Sequence, residues 1–436
     1  MSTFATLGLI EPLCLTLASL GYETPTPVQV GAIPGVLAGR DVLAAAQTGT
    51  GKTAAFVLPL VQRLHNSGAS TPSNAVRVLV LVPTRELAEQ VCASCRDYGA
   101  ALNVESFAAY GGVSINPQMM RLRRGVDVLV ATPGRLLDLH RRNAVTFQHV
   151  EALVFDEADR MLDLGFSEEI SHILSALPAK PQMLLFSATF SETILALAAR
   201  LLDKPVQVEA SPPNRAAQLV EQWLVPCDKK KKPALFVHLL KAHAWSQVLV
   251  FVKTRQGADE LASLLQEQAI AAEAIHGDRT QASRLAALAS FKRGEVQILV
   301  ATDVAARGLD IELLPQVVNF DLPHVAEDYV HRIGRTGRAG ASGVAISLVC
   351  ADEVGQLAAI ETLIGQTLRR EEVPGFEAEH RVPQTAPGGQ VVKKPKKPKS
   401  KKEQRKALLM QAMPGKASAA PAPAKPGNGR RSRGKV

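Results

Sequence analysis

The first half of the chain is built around one stretch, residues 41–53, which reads Asp41-Val42-Leu43-Ala44-Ala45-Ala46-Gln47-Thr48-Gly49-Thr50-Gly51-Lys52-Thr53. Its apolar start predicts a buried strand and the residues after it a helix, so the glycine- and threonine-rich part is a loop between them. Gly49 and Gly51 let backbone N–H groups point inward at phosphate oxygens, next to the positive N-terminal end of the helix. Lys52 can reach the β and γ phosphates of a nucleotide, and the Thr53 hydroxyl can bind Mg²⁺. Because Ala46 replaces the first glycine of the generic pattern G-x-x-x-x-G-K-[ST], a chance glycine-rich turn is the alternative.

An acidic strand end supports the interpretation as a phosphate loop. Further along the chain, the apolar run Leu153-Val154-Phe155 is followed directly by Asp156-Glu157-Ala158-Asp159. Ionised carboxylates are rarely buried without a partner, a proton or a metal ion. Together with a phosphate loop, the two adjacent carboxylates therefore predict metal-assisted ATP hydrolysis.

Short apolar runs alternate with helical segments through the body of the chain. The first set comprises residues 76–82, 104–109, 126–131, 151–155 and 182–186. After an interruption at Ser211-Pro212-Pro213-Asn214-Arg215, a second set comprises residues 247–252, 270–275, 296–301, 316–320 and 344–349. Apolar strands separated by helices predict parallel sheets that are covered on both faces. We therefore predict an α/β protein of two such domains, joined by about ten residues that span at most about 33–36 Å.

Composition favours a large enzyme in a reducing cytoplasm. The 436 residues are 46% hydrophobic, yet there is no apolar run long enough to predict a membrane span. The N-terminus, Met1-Ser2-Thr3-Phe4-Ala5, does not resemble a secretory signal. Five cysteines are scattered, and the pair Cys92 and Cys95 lies in a predicted helix without a second pair to complete a zinc site. We interpret them as ordinary thiols.

The positive charge of the chain is concentrated at its C-terminal end. Residues 381–436 contain 16 Lys and Arg and the single acid Glu403, whereas the rest of the chain has a net charge of −6. This tail is rich in Pro, Gly, Ala and Lys and cannot bury enough apolar surface to offset its ordering entropy. We predict a disordered arm that binds a polyanion, with a solubilising extension as the alternative.

The second domain has an arginine-rich turn but no phosphate loop. The run His331-Arg332-Ile333-Gly334-Arg335-Thr336-Gly337-Arg338 can present guanidinium groups to a phosphate. A basic surface turn is the alternative. Across a cleft from a nucleotide, Arg335 and Arg338 could instead act as arginine fingers, which raise the rate of phosphoryl transfer by about 10³–10⁵. The predicted active site is therefore divided between the two domains.

The motifs, in the order in which they follow one another along the chain, resemble those of DEAD-box RNA helicases over residues 1 to about 370. Ala46 is the family's usual residue at the start of the phosphate loop. The resemblance implies two tandem RecA-like domains with a disordered basic tail. It places RecA-like domain 1 at residues 1–208, a linker at 209–217, RecA-like domain 2 at 218–372 and the Lys/Arg/Pro-rich tail at 373–436.

The resemblance also implies roles for the residues around ATP and Mg²⁺. Gln29 reads the adenine edge with Tyr22 or Phe4 packed nearby, and Asp310 meets the ribose. The phosphates are held by Thr48, Gly49, Thr50, Gly51, Lys52 and Thr53. Asp156 holds Mg²⁺ together with Thr53, Glu157 orients and deprotonates the attacking water, and Arg335 and Arg338 complete catalysis with Lys52. The residues that couple the state of ATP to domain closure are Asp159, Ser187, Thr189 and His331.

An RNA track across both domains is implied in the same way. On the first domain the loops resemble backbone-gripping loops with Arg85, Gly112, Thr132 and Arg135. On the second domain the matching residues are Thr254, Arg255, Gly277, Gln281, Arg284 and Thr302. Hydroxyls, amides and arginines suit contacts to phosphate and sugar, which fix position without reading sequence.

We therefore predict an RNA-stimulated ATPase that remodels short RNA duplexes and ribonucleoprotein. The run from Tyr110 to Met120 and the basic tail favour the bacterial RhlE-like group. An ATP-gated RNA clamp or assembly scaffold is the alternative, although Glu157, Arg335 and Arg338 form a complete hydrolysis set. A small-molecule ATPase or kinase would leave the strand-gripping loops of the second domain unexplained. Ribosomal precursors and RNA-decay assemblies are candidate partners, a membrane is not, and the sequence leaves the RNA target and the oligomeric state open.

Overall fold

The chain folds around two parallel sheets of seven strands each. The computed structural model describes residues 2–46, 49–210, 220–306, 311, 314–337, 343–380, 382–386 and 390–391. Within these residues, no helix is long and apolar enough to cross a membrane. The strands of the first sheet are β1 (Val42–Ala45), β2 (Val76–Leu81), β3 (Ser106–Ala109), β4 (Val126–Ala131), β5 (Ala152–Phe155), β6 (Gln182–Ser187) and β7 (Val206–Glu209). Those of the second sheet are β8 (Val220–Pro226), β9 (Val248–Phe251), β10 (Ala272–Ile275), β11 (Ile298–Ala301), β12 (Gln316–Asn319), β13 (Gly343–Val349) and β14 (Arg369–Arg370).

The two sheets have the same strand order. The first runs β3-β4-β2-β5-β6-β1-β7 and the second β10-β11-β9-β12-β13-β8-β14. Each strand of the second sheet thus has a counterpart in the first, with β8 matching β1, β9 matching β2 and β12 matching β5. Because the carboxyl ends of parallel strands meet at one edge of a sheet, loops that follow matching strands occupy matching positions in the two domains.

Helices cover both faces of each sheet. Around the first sheet they are α1 (Glu11–Ser19), α2 (Pro27–Leu37), α3 (Lys52–Ser67), α4 (Arg85–Gly99), α5 (Ile115–Leu122), α6 (Pro133–Arg141), α7 (Ala158–Asp163), α8 (Ser167–Ser175) and α9 (Glu192–Leu201). Around the second they are α10 (Lys232–Ala242), α11 (Arg255–Glu267), α12 (Gln281–Lys292), α13 (Asp303–Ala306), α14 (Ala326–Ile333) and α15 (Val354–Ile364). Successive strand residues enter opposite cores: Val78 and Val80 belong to one apolar cluster and Leu79 to the other. This double burial explains why the strands are apolar throughout.

The sequence patterns locate eleven of these strands to within about two residues. They miss β7, β8 and β14, which lie near the domain ends. β7 is an edge strand with exposed Gln207 and Glu209, and β8 contains Glu221, Gln222 and Pro226, so both lack a continuous apolar run. Residues 211–219, which contain most of the predicted linker, lie outside the described residues.

The folded part of the second domain continues beyond residue 372, where we place the start of the tail. Glu371 N donates to Leu224 O, and Phe376 packs against the apolar cluster of the second sheet. The Asp228 carboxylate accepts hydrogen bonds from the backbone N–H groups of Glu379 and His380. The predicted tail therefore begins too early, because a few spaced apolar residues suffice to anchor this extension. Residues 385–386 also pair with residues 390–391 as β15 and β16, and residues 392–436 lie outside the described residues.

A buried lysine fills the position in the second domain that Lys52 has in the first. Lys232 begins the helix after β8, as Lys52 begins the helix after β1, and its side chain is only 1% exposed. Its Nζ donates to Phe320 O at 2.6 Å, to Glu353 Oε2 at 2.8 Å and to Asp321 Oδ1 at 3.2 Å. Burial alone would lower the pKa of Lys232, but the two carboxylates outweigh it and the pKa is raised. Protein oxygens thus take all three donors of the Lys232 ammonium group.

Replacement of Lys232 by methionine should lower the free energy of unfolding by about 3 kcal/mol. Breaking a buried ion pair leaves its carboxylates without a counter-charge, which costs about 3–5 kcal/mol, and the partial exposure of Glu353 and Asp321 favours the lower value. Urea denaturation of the full chain measures the loss. The exposed neighbour Lys230 is the control: an equal loss in Lys230→Met would contradict a special role for Lys232.

Candidate active site between the two domains

The phosphate loop presents Lys52 at the start of a helix. Gly49 and Gly51 have φ angles of +75° and +89°, which only glycine adopts freely. A Cβ at Gly51 would overlap the Gln29 side chain, whose Nε2 donates to Gly51 O at 3.2 Å and whose Oε1 accepts from Thr26 N. The predicted adenine-reading residue thus contacts the phosphate loop directly. Thr50 and Thr53 are partly exposed beside it, whereas Thr48 lies outside the described residues.

The two aromatic candidates for the adenine site differ in exposure. Phe4 is 5% exposed and belongs to the apolar core of the first domain. Tyr22 is 47% exposed. Of the two rings, Tyr22 therefore offers the free surface on which a base could pack.

The acidic pair lies at the carboxyl end of β5, next to Lys52. Asp156 is 2% exposed, and its Oδ1 has no hydrogen-bond partner among the described residues. Burial raises the pKa of Asp156 to about 6, against the opposing charge of Lys52. Burial also raises the pKa of Glu157, and Lys52 and Arg335 oppose that rise. Glu157 has φ of 55° and ψ of 52°, a left-handed conformation that is rare for a residue other than glycine.

Two of the four predicted coupling residues, Asp159 and His331, line one cavity. The Asp159 carboxylate accepts a hydrogen bond from Ala188 N at 3.0 Å, which ties α7 to the loop after β6. Burial lowers the pKa of His331, and the negative charge of Asp159 partly offsets this. Ser187 is fully buried beside this loop, whereas Thr189 is exposed. The cavity is lined from both domains by Lys52, Glu157, Asp159, Arg160, Asp163, Ala188, His331 and Arg335.

One arginine of the second domain reaches the acidic pair, and another holds its helix in place. Arg335 follows α14, is buried and acts electrostatically on Glu157. Arg332, which the sequence patterns do not single out, makes a two-pronged ion pair with Asp303 at 2.6 and 2.7 Å and donates to Asn319. Its position next to His331 is the only signal that could have pointed to it. Arg338 and Asp310 lie outside the described residues.

The loops predicted to grip RNA in the first domain are packed against one another. Arg85 opens α4, and a Cβ at Gly112, whose φ is +76°, would overlap the Arg85 guanidinium. Thr132 precedes α6, from which Arg135 Nη2 donates to Val113 O at 2.8 Å. Arg85 and Arg135 therefore both pack on the turn that carries Gly112, and Thr132 and Arg135 are themselves buried.

The second domain repeats this arrangement. Thr254 caps α11 by accepting from Gly257 N at 3.0 Å, as Thr84 caps α4 by accepting from Leu87 N at 3.3 Å. The next residue, Arg255, lies beside Gly277, with its guanidinium 3.6 Å from the position of a Cβ there. Thr302 is buried after β11, the counterpart of β4. The contact of Arg255 with Gly277 in the second domain thus corresponds to that of Arg85 with Gly112 in the first.

Gln281 and Arg284 connect the two domains. Gln281 Nε2 donates to Glu86 Oε1 at 3.0 Å, and Arg284 Nη2 pairs with the same oxygen at 3.0 Å. All three side chains are buried. The sequence patterns assign Gln281 and Arg284 to RNA and miss Glu86, because a contact between residues so distant along the chain leaves no local pattern. The structure therefore has the two domains closed on each other.

A phosphate loop and acidic strand end on one RecA-like domain, facing an arginine from a second such domain, define a class: ATPases whose active site is completed by domain closure. Family models agree, with the DEAD/DEAH box helicase model matching residues 26–197 and the helicase conserved C-terminal domain matching residues 231–340.

Curated relatives and a solved structure narrow the class. The DEAD-box ATP-dependent RNA helicase CshA of Geobacillus kaustophilus is 43% identical over 377 residues, covering 86% of this chain and 80% of the relative. CshA of Listeria monocytogenes is 41% identical, covering 86% and 72%. S. cerevisiae Dbp5 bound to RNA and ADP BeF3 is 30% identical with a TM-score of 0.75, covering 85% and 96%. This chain belongs to the DEAD-box family and is an ATP-dependent RNA helicase. The predicted family and fold are confirmed, while the RhlE-like group stays a prediction.

Proposed function

We propose that this helicase separates short RNA duplexes locally, by closing its two domains on ATP and one RNA strand, without processive movement along the duplex. The observation that carries the proposal is the division of one cavity between domains, with Lys52 and Glu157 on one side and His331 and Arg335 on the other. Hydrolysis then requires closure, and reopening of the cleft releases the strand. The process needs no translocation.

The groups of the first domain bind and polarise the reactants. Lys52 holds the β and γ phosphates, while Gln29 joins the adenine site to the phosphate loop through Gly51. The buried Oδ1 of Asp156, which has no hydrogen-bond partner in the described part of the chain, fits Mg²⁺. Asp156 and Thr53 would hold this ion, which neutralises phosphate charge when bound. Glu157 orients the attacking water and takes its proton. Its raised pKa makes it a stronger base than an exposed glutamate.

The groups of the second domain act only on closure. Arg335 stabilises the negative charge that develops on the transferred phosphoryl group. His331 couples closure to Asp159 through their electrostatic interaction. The Asp159 carboxylate in turn holds the loop after β6 by accepting from Ala188 N. Arg85 with Gly112, and Arg255 with Gly277, place positive charge and exposed backbone at matching positions for a strand's phosphates. This arrangement supports binding that fixes the strand without reading its sequence.

The test is strand displacement under multiple turnover with RNA duplexes of one and three helical turns. The proposal expects ATP-dependent displacement that falls steeply with duplex length. Displacement independent of length would indicate processive movement and contradict it. Bound RNA without displacement would favour the ATP-gated clamp, and ATPase without RNA stimulation would favour a small-molecule substrate.

Removal of either partner of the Glu86 bridge should weaken closure. Glu86→Ala and Arg284→Ala should each lower RNA-stimulated kcat/KM by about tenfold, a cost of about 1.4 kcal/mol or more. Glu86→Ala leaves the buried Gln281 and Arg284 without their acceptor, and Arg284→Ala leaves the Glu86 carboxylate with Gln281 but without a counter-charge. The double variant should be little worse than Glu86→Ala alone, since that substitution already removes the contact with Arg284. Arg293→Ala, which breaks an exposed ion pair within the second domain, is the control. Additive losses in the double variant would contradict the bridge.

The basic C-terminal segment supports a tether to RNA. Its net charge of +15 over residues 381–436 suits the phosphate backbone, and such binding weakens with salt. Ribosomal precursors and RNA-decay assemblies are compatible substrates, and a cytoplasmic location fits the free thiols at all five cysteines.

A further inference from the structure

The turn at residues 110–113, between β3 and α5, is held in place by side chains. Gln118 Nε2 donates to Tyr110 O at 3.1 Å, Arg135 Nη2 donates to Val113 O at 2.8 Å, and the Tyr110 hydroxyl donates to Glu89 Oε1 at 2.5 Å. Residues 110–113 are all described, and outside helices and strands none of them takes part in a backbone-to-backbone hydrogen bond. Three side chains from three helices therefore determine the shape of this turn.

The turn matters because it carries Gly112 to the Arg85 guanidinium. Gly112 has φ of +76°, and the guanidinium occupies the space that a side chain there would fill. A change in the path of the turn would therefore move the glycine backbone into Arg85 or away from it. Arg85 and Gly112 form one surface only while the turn keeps this path.

Gln118 is a polar side chain that is buried in the protein. It lies in α5 between exposed residues, with Asn116, Pro117 and Met120 all accessible, yet it is only 6% exposed. Its Oε1 has no hydrogen-bond partner among the described residues, so the buried amide is retained for its single bond to the Tyr110 carbonyl. Burial of an amide costs free energy unless the amide is hydrogen-bonded. A purely apolar side chain at this site would avoid that cost.

We propose that Gln118 is a positioning residue for RNA binding. It fixes the 110–113 turn through the Tyr110 carbonyl and so keeps Gly112 and Arg85 together as a contact for the RNA backbone. Arg135 holds the other end of the turn through the Val113 carbonyl. The inference rests on the proposed role of Arg85 and Gly112 in gripping RNA, and it adds a residue that touches neither RNA nor ATP.

The test is Gln118→Met in the full chain, which keeps the side-chain volume and removes the donor. The RNA concentration for half-maximal ATPase should rise about fivefold to tenfold, as expected for the loss of one buried hydrogen bond. The saturated kcat and the KM for ATP without RNA should stay unchanged. Gln118→Glu, which also lacks the donor and repels the carbonyl oxygen, should raise the RNA requirement at least as far. Asn116→Ala, an exposed change in the same helix, is the control.

Combination with Arg85→Ala separates positioning from general destabilisation. If Gln118 acts through Arg85, Gln118→Met should raise the RNA requirement little further in an Arg85→Ala background. A full, additive effect there, or an unchanged RNA requirement in Gln118→Met alone, would overturn the inference. If Arg85→Ala alone leaves the RNA requirement unchanged, the proposed RNA role of this loop fails first and the positioning role fails with it.

Discussion

Replacement of Arg335 by alanine should slow RNA-stimulated ATP hydrolysis by about 10³–10⁵ while leaving ATP bound to the first domain. Arg335 is buried at the domain interface, and its charge opposes the rise in the pKa of Glu157, so it lies close to the proposed general base. A guanidinium in this place stabilises charge that is present only during phosphoryl transfer. Single-turnover ATPase assays with saturating RNA measure the loss, and titration of a fluorescent ATP analogue measures the retained affinity.

Two further variants make this result specific to Arg335. Arg335→Lys keeps the charge but not the planar fork, so it should recover only a small part of the rate. Arg332→Ala should also slow hydrolysis, but through lost support of α14 by Asp303, and it should lower the thermal stability of the second domain as well. If Arg335→Ala hydrolysed ATP at the normal rate, the active site would not be divided between domains.

The sequence patterns locate the chemistry of each domain but not the contacts between domains. Asp156 and Glu157 can be recognised because charged residues directly follow an apolar strand, and Lys52 because glycine and threonine precede it. Such signals are local, since a loop and the strand before it are neighbours in the chain. The α/β class follows from the same local periodicity.

The contacts made by Glu86 illustrate what local patterns leave out. Glu86 lies in a loop-to-helix motif that is similar to RNA-binding loops, but its carboxylate faces Gln281 and Arg284 of the other domain. Only the closed arrangement of two sheets brings these side chains together. Phe376 and Val382 show the same limit beyond the second sheet. They pack into apolar clusters of the second domain, but as isolated apolar residues they form no periodic pattern that would predict this.

Replacement of Glu157 by glutamine should reduce ATP turnover by about 10²–10⁴, the usual contribution of a general base. Glutamine keeps the size of the side chain and can occupy the same left-handed backbone position, but it cannot take a proton from water. ATP and RNA should therefore still bind, and the domains should stay closed for longer because hydrolysis is what reopens them. Anisotropy of a labelled RNA strand, chased with unlabelled RNA in the presence of ATP, should show slower release than in the unsubstituted chain.

The pH profile gives an independent test of the same role. Burial raises the pKa of Glu157 above its ordinary value, so the hydrolysis rate of the unsubstituted chain should fall as the pH drops through this raised pKa and the base becomes protonated. Glu157→Gln has no such group, so its residual rate should lose the part of the acidic limb that belongs to Glu157. The part that remains belongs to Asp156, whose pKa burial raises to about 6. Glu168→Gln, an exposed change at the start of α8, should keep both the rate and the profile. Normal turnover in Glu157→Gln would mean that another group activates the water.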